Sequence, residues 1–364
     1  MGRIVAAMSG GVDSSVAAAL LAEAARNGGD EVVGVWMRLS PDEGEGWELR
    51  RSCCSPDAAD DARRVAQLAG ISFFILNLER EFGEQVIDAF VDGYLDGATP
   101  NPCQACNQHI KFDVLLRRGL AAYGADAVAT GHYARIQTDA SGTHHLLRAR
   151  DTAKDQTYFL WTLTQEQLAA TRFPLGELTK PEVRALAVEL VLPTADKPES
   201  QEICFVPLGD YRTLLAERRG YDGDPGPIVD AGGTRVGTHT GYAHYTVGQR
   251  HGLGLALGEP VYVREVRPAT NTVVIGRREE VAQRTFTTDA RHFVVGEPPA
   301  ERFAAQVRIR HRGEPVPAEV TLVGDDRFAV ETDEPVWAPA PGQAAVLYLG
   351  DELLGGGRIT LETA

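Results

Sequence analysis

The stretch "AAMSGGVDSSVAAALL" (Ala6–Leu21) constrains the fold more than any other part of the chain. The apolar run Ile4–Met8 meets two glycines, then an aspartate flanked by hydroxyls, then an alanine-rich run whose pattern predicts a helix over Ser14–Arg26. A buried strand that turns at once into a helix is half of a β-loop-α unit. Such units are stable inside a parallel sheet covered by helices on both faces. The first half of the chain keeps that alternation. "EVVGVWMRL" (Glu31–Leu39), "ISFFILNL" (Ile71–Leu78) and "DAVAT" (Asp126–Thr130) predict strands, and Asp57–Ala69 predicts a helix. Ligands of such sheets sit beyond the carboxyl ends of the strands. That rule puts the Gly10–Asp13 loop and "TGHYAR" (Thr130–Arg135) at one site.

Further on the texture changes. "LTKPEVRALAVEL" opens a helix with a capping box of Thr179 and Glu182, and Pro181 suits its first turn. Beyond about residue 206 Gly and Pro cluster and short alternating segments follow. From about residue 280 the chain reads as short strands, among them "FAAQVRIRHR", "AEVTLVG" and "AAVLYLG". The expected architecture is a Rossmann-like parallel-sheet α/β nucleotide domain (residues 1–206), a small mostly-β central domain (207–279) and a C-terminal β-barrel (280–364). A hairpin is expected from Tyr133 to Arg150, and "HGLGLALG" (His251–Gly258) as a turn in the central segment.

Composition narrows the partners. A formal net charge of −15 argues against a general nucleic-acid coat protein, so the placement of arginines matters more than their sum. In "VRIRHR" (Val307–Arg312), Arg308, Arg310 and Arg312 recur at period two, which predicts a basic stripe on one strand face. From the residues alone, that stripe is equally a solvated face or a phosphate track. Five cysteines, an odd number, with no signal peptide imply thiols in a reducing compartment. No apolar run approaches the ~20 residues that cross a bilayer. The expectation is a cytoplasmic protein with neither membrane nor DNA as partner.

The Gly10–Ser15 loop is built for an anion. Glycines let backbone N–H groups turn toward it, the helix N-terminus favours negative charge, and Ser9, Ser14 and Ser15 add hydroxyls. No lysine follows the glycines, which excludes a Walker A loop, and G-x-G-x-x-G is absent, which counts against a dinucleotide. In "TPNPCQACNQHIKFD" (Thr99–Asp113), prolines fix an extended loop, and Cys103 and Cys106 fall at C-x-x-C spacing before a helical run. A thiol there has its thiolate stabilised by the helix end. A redox pair, half a zinc site and inert thiols all stay open. Zinc lacks its second pair, since Cys53 and Cys54 are adjacent and read as packing residues, and Cys204 taken alone reads as a buried apolar residue.

The loop "SGGVDSS" resembles the pyrophosphate loop of N-type ATP pyrophosphatases. "AAMSGGVDSSV", "GVWM", "TPNPCQACNQHIKFD", "ATGHYAR", "KDQTYFL", "SQEICF" and "HTGYAHYTVGQRHGLGL" occur in that order, and together they closely resemble the tRNA-specific 2-thiouridylases. The resemblance implies ATP-dependent sulfur insertion at the wobble uridine of tRNA, with adenylation of the uracil 2-carbonyl and loss of pyrophosphate. It implies nucleotide contacts at Ala7, Met8, Ser9, Gly10, Gly11, Val12, Asp13, Ser14, Met37 and Gly131, with Asp13 helping to hold Mg²⁺. His132 is expected near the nucleotide. The resemblance also implies Cys106 as nucleophile and Cys204 as the persulfide carrier, loaded by a sulfur-relay protein. Asn101, Pro102 and Cys103 would meet the target base; Lys154, Asp155, Gln156, Arg310 and His311 would meet the tRNA. The chain departs from the pattern at Cys103, where some relatives carry an aspartate with a proton-transfer role. Cys103, Cys106 and Cys204 also make a C-x-x-C-plus-one set, so an iron–sulfur cluster stands as the alternative to the persulfide. The remaining competitors are another adenylating ligase on the same loop and a non-catalytic RNA-binding or redox protein.

Overall fold

The structure is a computed structural model that describes residues 2–40, 56–199, 203–206 and 210–360. Cys53 and Cys54, read above as packing residues, lie outside the described residues. Near the N-terminus the chain forms β1 (Arg3–Ala7), α1 (Val12–Gly28), β2 (Glu31–Arg38), α2 (Pro56–Ala69) and β3 (Ser72–Asn77). Next come β4 (Ala127–Ala129), the hairpin β5 (Ala134–Thr138) and β6 (His144–Arg148), and β7 (Thr171–Arg172). A sheet of order β3-β2-β1-β4-β7 is parallel throughout, as the unbroken β-branched runs predict.

Small residues let the helices lie close on that sheet. Ala17, Ala18, Ala62, Ala66 and Ala187 bring α1, α2 and the helix Lys180–Glu189 into one buried cluster on one face. On the other face Val5, Val33, Val35 and Val128 meet Leu115 and Leu116. The capping box of Thr179 and Glu182 is formed.

A central sheet follows, made of β8 (Gly226–Val229), β9 (Arg235–His239), β10 (Tyr262–Arg267) and β11 (Thr272–Gly276) in the order β10-β11-β8-β9. The C-terminal strands are β12 (Ala282–Phe293), β13 (Arg302–Arg308), β14 (Val316–Val323), β15 (Arg327–Trp337), β16 (Ala344–Leu349) and β17 (Glu352–Thr360). Pairing of β12 with both β15 and β17 closes these six strands into a barrel. The architecture is the expected one.

Two features differ from the sequence reading. The hairpin β5–β6 belongs by sequence to the nucleotide region, yet β6 pairs with β17, with Glu352 against Leu147 and Leu353 against Leu146. It thereby extends the barrel's sheet. The basic stripe does not form either. Strand β13 ends at Arg308, and a turn closed by the Gly313 N–H on the Arg310 carbonyl (3.0 Å) takes the chain away. Period two sets a common face only while the ladder continues, so Arg310 turns away to the Ala338 carbonyl while Arg308 and Arg312 face one cavity.

Candidate active site

Helix α1 leaves β1 through a turn that only glycine fits. Gly10 has φ +70°, and a Cβ there would lie 2.1 Å from the Ala58 carbonyl oxygen. Ser14 and Ser15 donate their hydroxyls to the Gly11 carbonyl at 3.1 and 2.8 Å, and the Ser9 N–H donates to Ser14 Oγ at 3.1 Å. The serines thus hold the loop's shape. The N-terminus of α1 carries no side-chain cap, and Val12, Asp13 and Ser14 line an open cavity of about 1640 Å³ at the carboxyl end of β1. The positive end of a 17-residue helix is directed at that space. Met8, Ser9, Gly10, Gly11 and Met37 complete this wall, while Ala7 lies behind it in β1. Gly131 is the close-packing residue beneath, since a Cβ on it would fall 2.8 Å from the Ser14 nitrogen.

Cations surround the loop although none belongs to it. Lys180, buried at 8% exposure, donates to both carboxylate oxygens of Asp13 at 2.7 and 2.9 Å and to Glu199 at 2.8 Å. The Tyr133 hydroxyl also donates to Asp13, at 2.8 Å. Burial, then the charge of Asp13, pushes the Tyr133 phenol far above its ordinary value, so it stays a donor. Lys197 donates to the Gly10 carbonyl at 2.9 Å and to Asp61 at 2.7 Å. Lys111 lies 3.4 Å from His132 Nε2. His132 is buried, its Nδ1 is 2.6 Å from the Thr130 hydroxyl, and desolvation with the Lys111 charge holds it neutral. The sequence reading missed Lys111, Tyr133, Lys180, Lys197 and Glu199. Nothing in the residues around Lys111, Lys180 or Lys197 says where a lysine tip will reach.

The thiols share this cavity. Asn101 caps the helix that follows it, its side chain accepting from the Gln104 N–H at 3.2 Å, with Pro102 in the first turn. Cys103 falls in that turn, and Cys106 opens a stretch of wide π-type turns, Cys106–Leu115. Such turns recur at functional sites. The barrel holds the approach loop in place: the Thr99 N–H donates to the Pro341 carbonyl at 2.6 Å, and Gln343 donates to the Thr99 carbonyl at 2.8 Å. Cys106 and Cys204 lie 98 positions apart in sequence, counted from their numbers. Yet both pack against the buried cluster of Phe82, Phe90 and Phe205, and with Cys103 and Pro102 both line the cavity. Asn101 is not among the lining residues.

The opposite wall comes from the hairpin and the barrel. Lys154, Asp155, Gln156, Arg308, His311 and Arg312 line it. Asp155, 3% exposed, accepts from Arg308 at 3.2 Å and from the Thr157 hydroxyl at 2.9 Å. Arg308 also donates to the His311 carbonyl. Gln156 accepts from the Tyr133 N–H at 2.9 Å, and Lys154 pairs with Glu199 at 2.7 Å. Arg310 turns out of the cavity and donates to the Ala338 carbonyl at 2.9 Å, so the sequence-paired Arg310 and His311 part company. Arg148 lies in the same wall with its guanidinium 4.2 Å from the Tyr348 ring centre.

The arrangement bears on two groups named above. Among the described residues, no set of three or more His, Cys, Asp or Glu side chains is placed to hold a metal. Cys103, Cys106 and Cys204 therefore do not fit an iron–sulfur cluster as they stand. At Asp13 a Mg²⁺ ion would share the carboxylate with the Lys180 ammonium and the Tyr133 hydroxyl, which already contact its oxygens. ATP is a different matter, because the uncapped helix end, the glycine loop and the surrounding lysines suit a polyphosphate.

Residues 2–208 match the family described as the tRNA methyl transferase HUP domain, residues 213–277 its PRC-barrel domain, and residues 283–359 the aminomethyltransferase beta-barrel domain. The tRNA-specific 2-thiouridylase MnmA of Carboxydothermus hydrogenoformans is 51% identical over 359 residues, covering 98% of this chain and 97% of its own. Its counterpart in Chloroflexus aggregans is 51% identical over 361 residues, covering 99% and 98%. The relative from Geobacter metallireducens is 50% identical, covering 98% and 96%. Among the described residues, no helix is long and apolar enough to cross a membrane.

Proposed function

The chain belongs to the tRNA-specific 2-thiouridylase family, and from that premise we propose that it replaces the 2-oxygen of the wobble uridine of tRNA with sulfur at the expense of ATP. The observation that carries this reading is the single cavity whose walls hold the pyrophosphate loop, Cys106 and Cys204 together. Activation of a carbonyl and delivery of sulfur need to happen at one carbon, and this cavity is large enough to admit a nucleotide and an extruded base side by side.

In the proposed sequence the uracil O2 attacks the α-phosphorus of ATP and pyrophosphate leaves. The helix end at Val12–Ser14 and the Lys197 ammonium bear the leaving charge. AMP is then the leaving group at C2. A persulfide donor transfers its outer sulfur to Cys204. The terminal sulfur attacks C2 and AMP departs, after which the Cys106 thiolate attacks the Cys204 sulfur. That step breaks the bond to the thiouridine and forms a Cys106–Cys204 disulfide. Alternatively, Cys106 attacks first and releases hydrosulfide as the nucleophile. Both routes consume two thiols, and a thiol reductant must restore them. Solubility in the cytoplasm, where thiols stay reduced, fits this cycle.

On this reading Cys106→Ser and Cys204→Ser each abolish thiolation of tRNA supplied with ATP and a persulfide donor, whereas tRNA-dependent pyrophosphate release survives. Full thiolation by either variant would refute the proposal.

A further inference from the structure

Seven positions before Cys204, the chain is fastened to the nucleotide loop. Lys197 donates to the Gly10 carbonyl at 2.9 Å, and Glu199 accepts from Lys180 at 2.8 Å while Lys180 grips Asp13. The Glu199 carboxylate also accepts from Lys154 at 2.7 Å, next to Asp155 and its ion pair with Arg308 of the barrel. An ammonium has three N–H donors. Lys180 spends them on Asp13 Oδ1, Asp13 Oδ2 and Glu199 Oε1, so its valence is filled by the loop and the cysteine-bearing segment alone. Lys180 does not line the cavity. It stands behind the wall, whereas Asp13 and Glu199, which it joins, both line it.

We propose that Lys180 and Glu199 are positioning residues that couple occupancy of the nucleotide loop to the placement of Cys204. This rests on the reading of the loop as the ATP site and adds the element that links it to sulfur delivery. A polyphosphate at the α1 N-terminus brings negative charge beside Asp13 and Glu199, and both carboxylates share the one buried cation. Any shift of Asp13 toward or away from the phosphates is transmitted through Lys180 to Glu199, five positions before Cys204. Lys197, with a third donor to give, follows the same charge. Burial alone would raise the Glu199 carboxyl. The hydrogen bonds and charges of Lys154 and Lys180 instead hold it at about 2, so the link is ionised throughout the physiological range. Because coupling between two sites is reciprocal, changes at Glu199 must also alter nucleotide affinity.

The test uses the full-length protein without tRNA. Alkylation of Cys204 by iodoacetamide is followed by peptide mass spectrometry with and without α,β-methylene-ATP and Mg²⁺, and affinity for the analogue is measured by calorimetry. In the unaltered protein the analogue changes the Cys204 rate by about five-fold or more, within the span of ordinary site-to-site coupling. Glu199→Gln keeps the fold and binds the analogue, but its Cys204 rate no longer responds. Glu199→Asp retains part of the response, which loss of packing alone would not produce. Lys180→Met gives the same uncoupling if it folds; Glu199→Gln carries the test if it does not. An undiminished response in Glu199→Gln overturns the coupling and leaves the ATP reading intact. Failure of the unaltered protein to bind the analogue overturns the ATP reading and, with it, the coupling.

Discussion

The two walls of the cavity are made in opposite ways. Apart from Met37, the nucleotide-loop wall comes from one continuous stretch, Met8–Ser14, whose glycine turn and serine hydroxyls satisfy one another before any ligand arrives. The hairpin-and-barrel wall is assembled from distant segments, and its polar groups are satisfied unevenly. Asp155 is saturated, but Arg148 Nε and Nη2, Arg308 Nε and His311 Nδ1 are shielded from solvent without a hydrogen-bond partner among the described residues. Unpaired buried donors cost roughly 1–3 kcal/mol each. A wall that carries such groups is the wall that gains most when a polar ligand is drawn against it. The difference teaches that the nucleotide side is preorganised by local sequence, and the far side by long-range pairing.

The comparison can be broken most severely at the Asp155–Arg308 pair. Arg308→Met leaves a buried carboxylate unpaired, with an expected loss of about 3–5 kcal/mol of stability in denaturant titration. Asp155→Asn with Arg308→Met recovers much of it. Gly10→Ala comes next. Its Cβ meets the Ala58 carbonyl in a left-handed turn, so about 1–3 kcal/mol is lost, together with tRNA-dependent pyrophosphate release. Arg148→Gln should leave analogue binding unchanged. It should weaken tRNA binding by about 1–3 kcal/mol, and if the contact is to phosphate it should lower the salt slope by about one. Equal tRNA affinity at every salt concentration would assign Arg148 to packing on Tyr348. The smallest effect concerns pH. The folded Glu199 carboxyl is depressed from 4.5 to about 2, so its contribution to stability is present above 4.5 and is lost as pH falls through about 2. The stability gap between the unaltered protein and Glu199→Gln should hold from neutral pH down to about 5 and close below that; a gap that widens on acidification would contradict the Lys180–Glu199–Lys154 contact.

How much of this was legible follows from reach along the chain. Most of the parallel sheet and its loop were readable because β1, Gly10–Gly11 and α1 are consecutive and β1 to β4 each announce themselves by an apolar run; the edge strand β7, Thr171–Arg172, carries no such run and was missed. The capping box at Thr179 was readable for the same reason. Lys180 was not, because its partner Asp13 lies 167 positions away and the alternative of a solvated helix end was locally just as good. The arginine stripe misled because alternation persisted into a turn. The hairpin was foreseen, but its true neighbour, β17, begins at Glu352, and nothing in Ala134–Arg148 specifies an edge that a distant strand will cover.

That covered edge bears on how the chain can be taken apart. Read from the sequence boundary alone, a cut near residue 280 detaches a barrel and leaves an intact nucleotide domain. It would instead strip β6 of its neighbour, expose a ladder of unpaired N–H and C=O groups, and strand Asp155 without Arg308. The barrel is therefore not exchangeable cargo: grafts or truncations that respect the sequence boundary would yield an aggregation-prone fragment. The smallest stable nucleotide unit includes a strand that lies far downstream of it in the sequence.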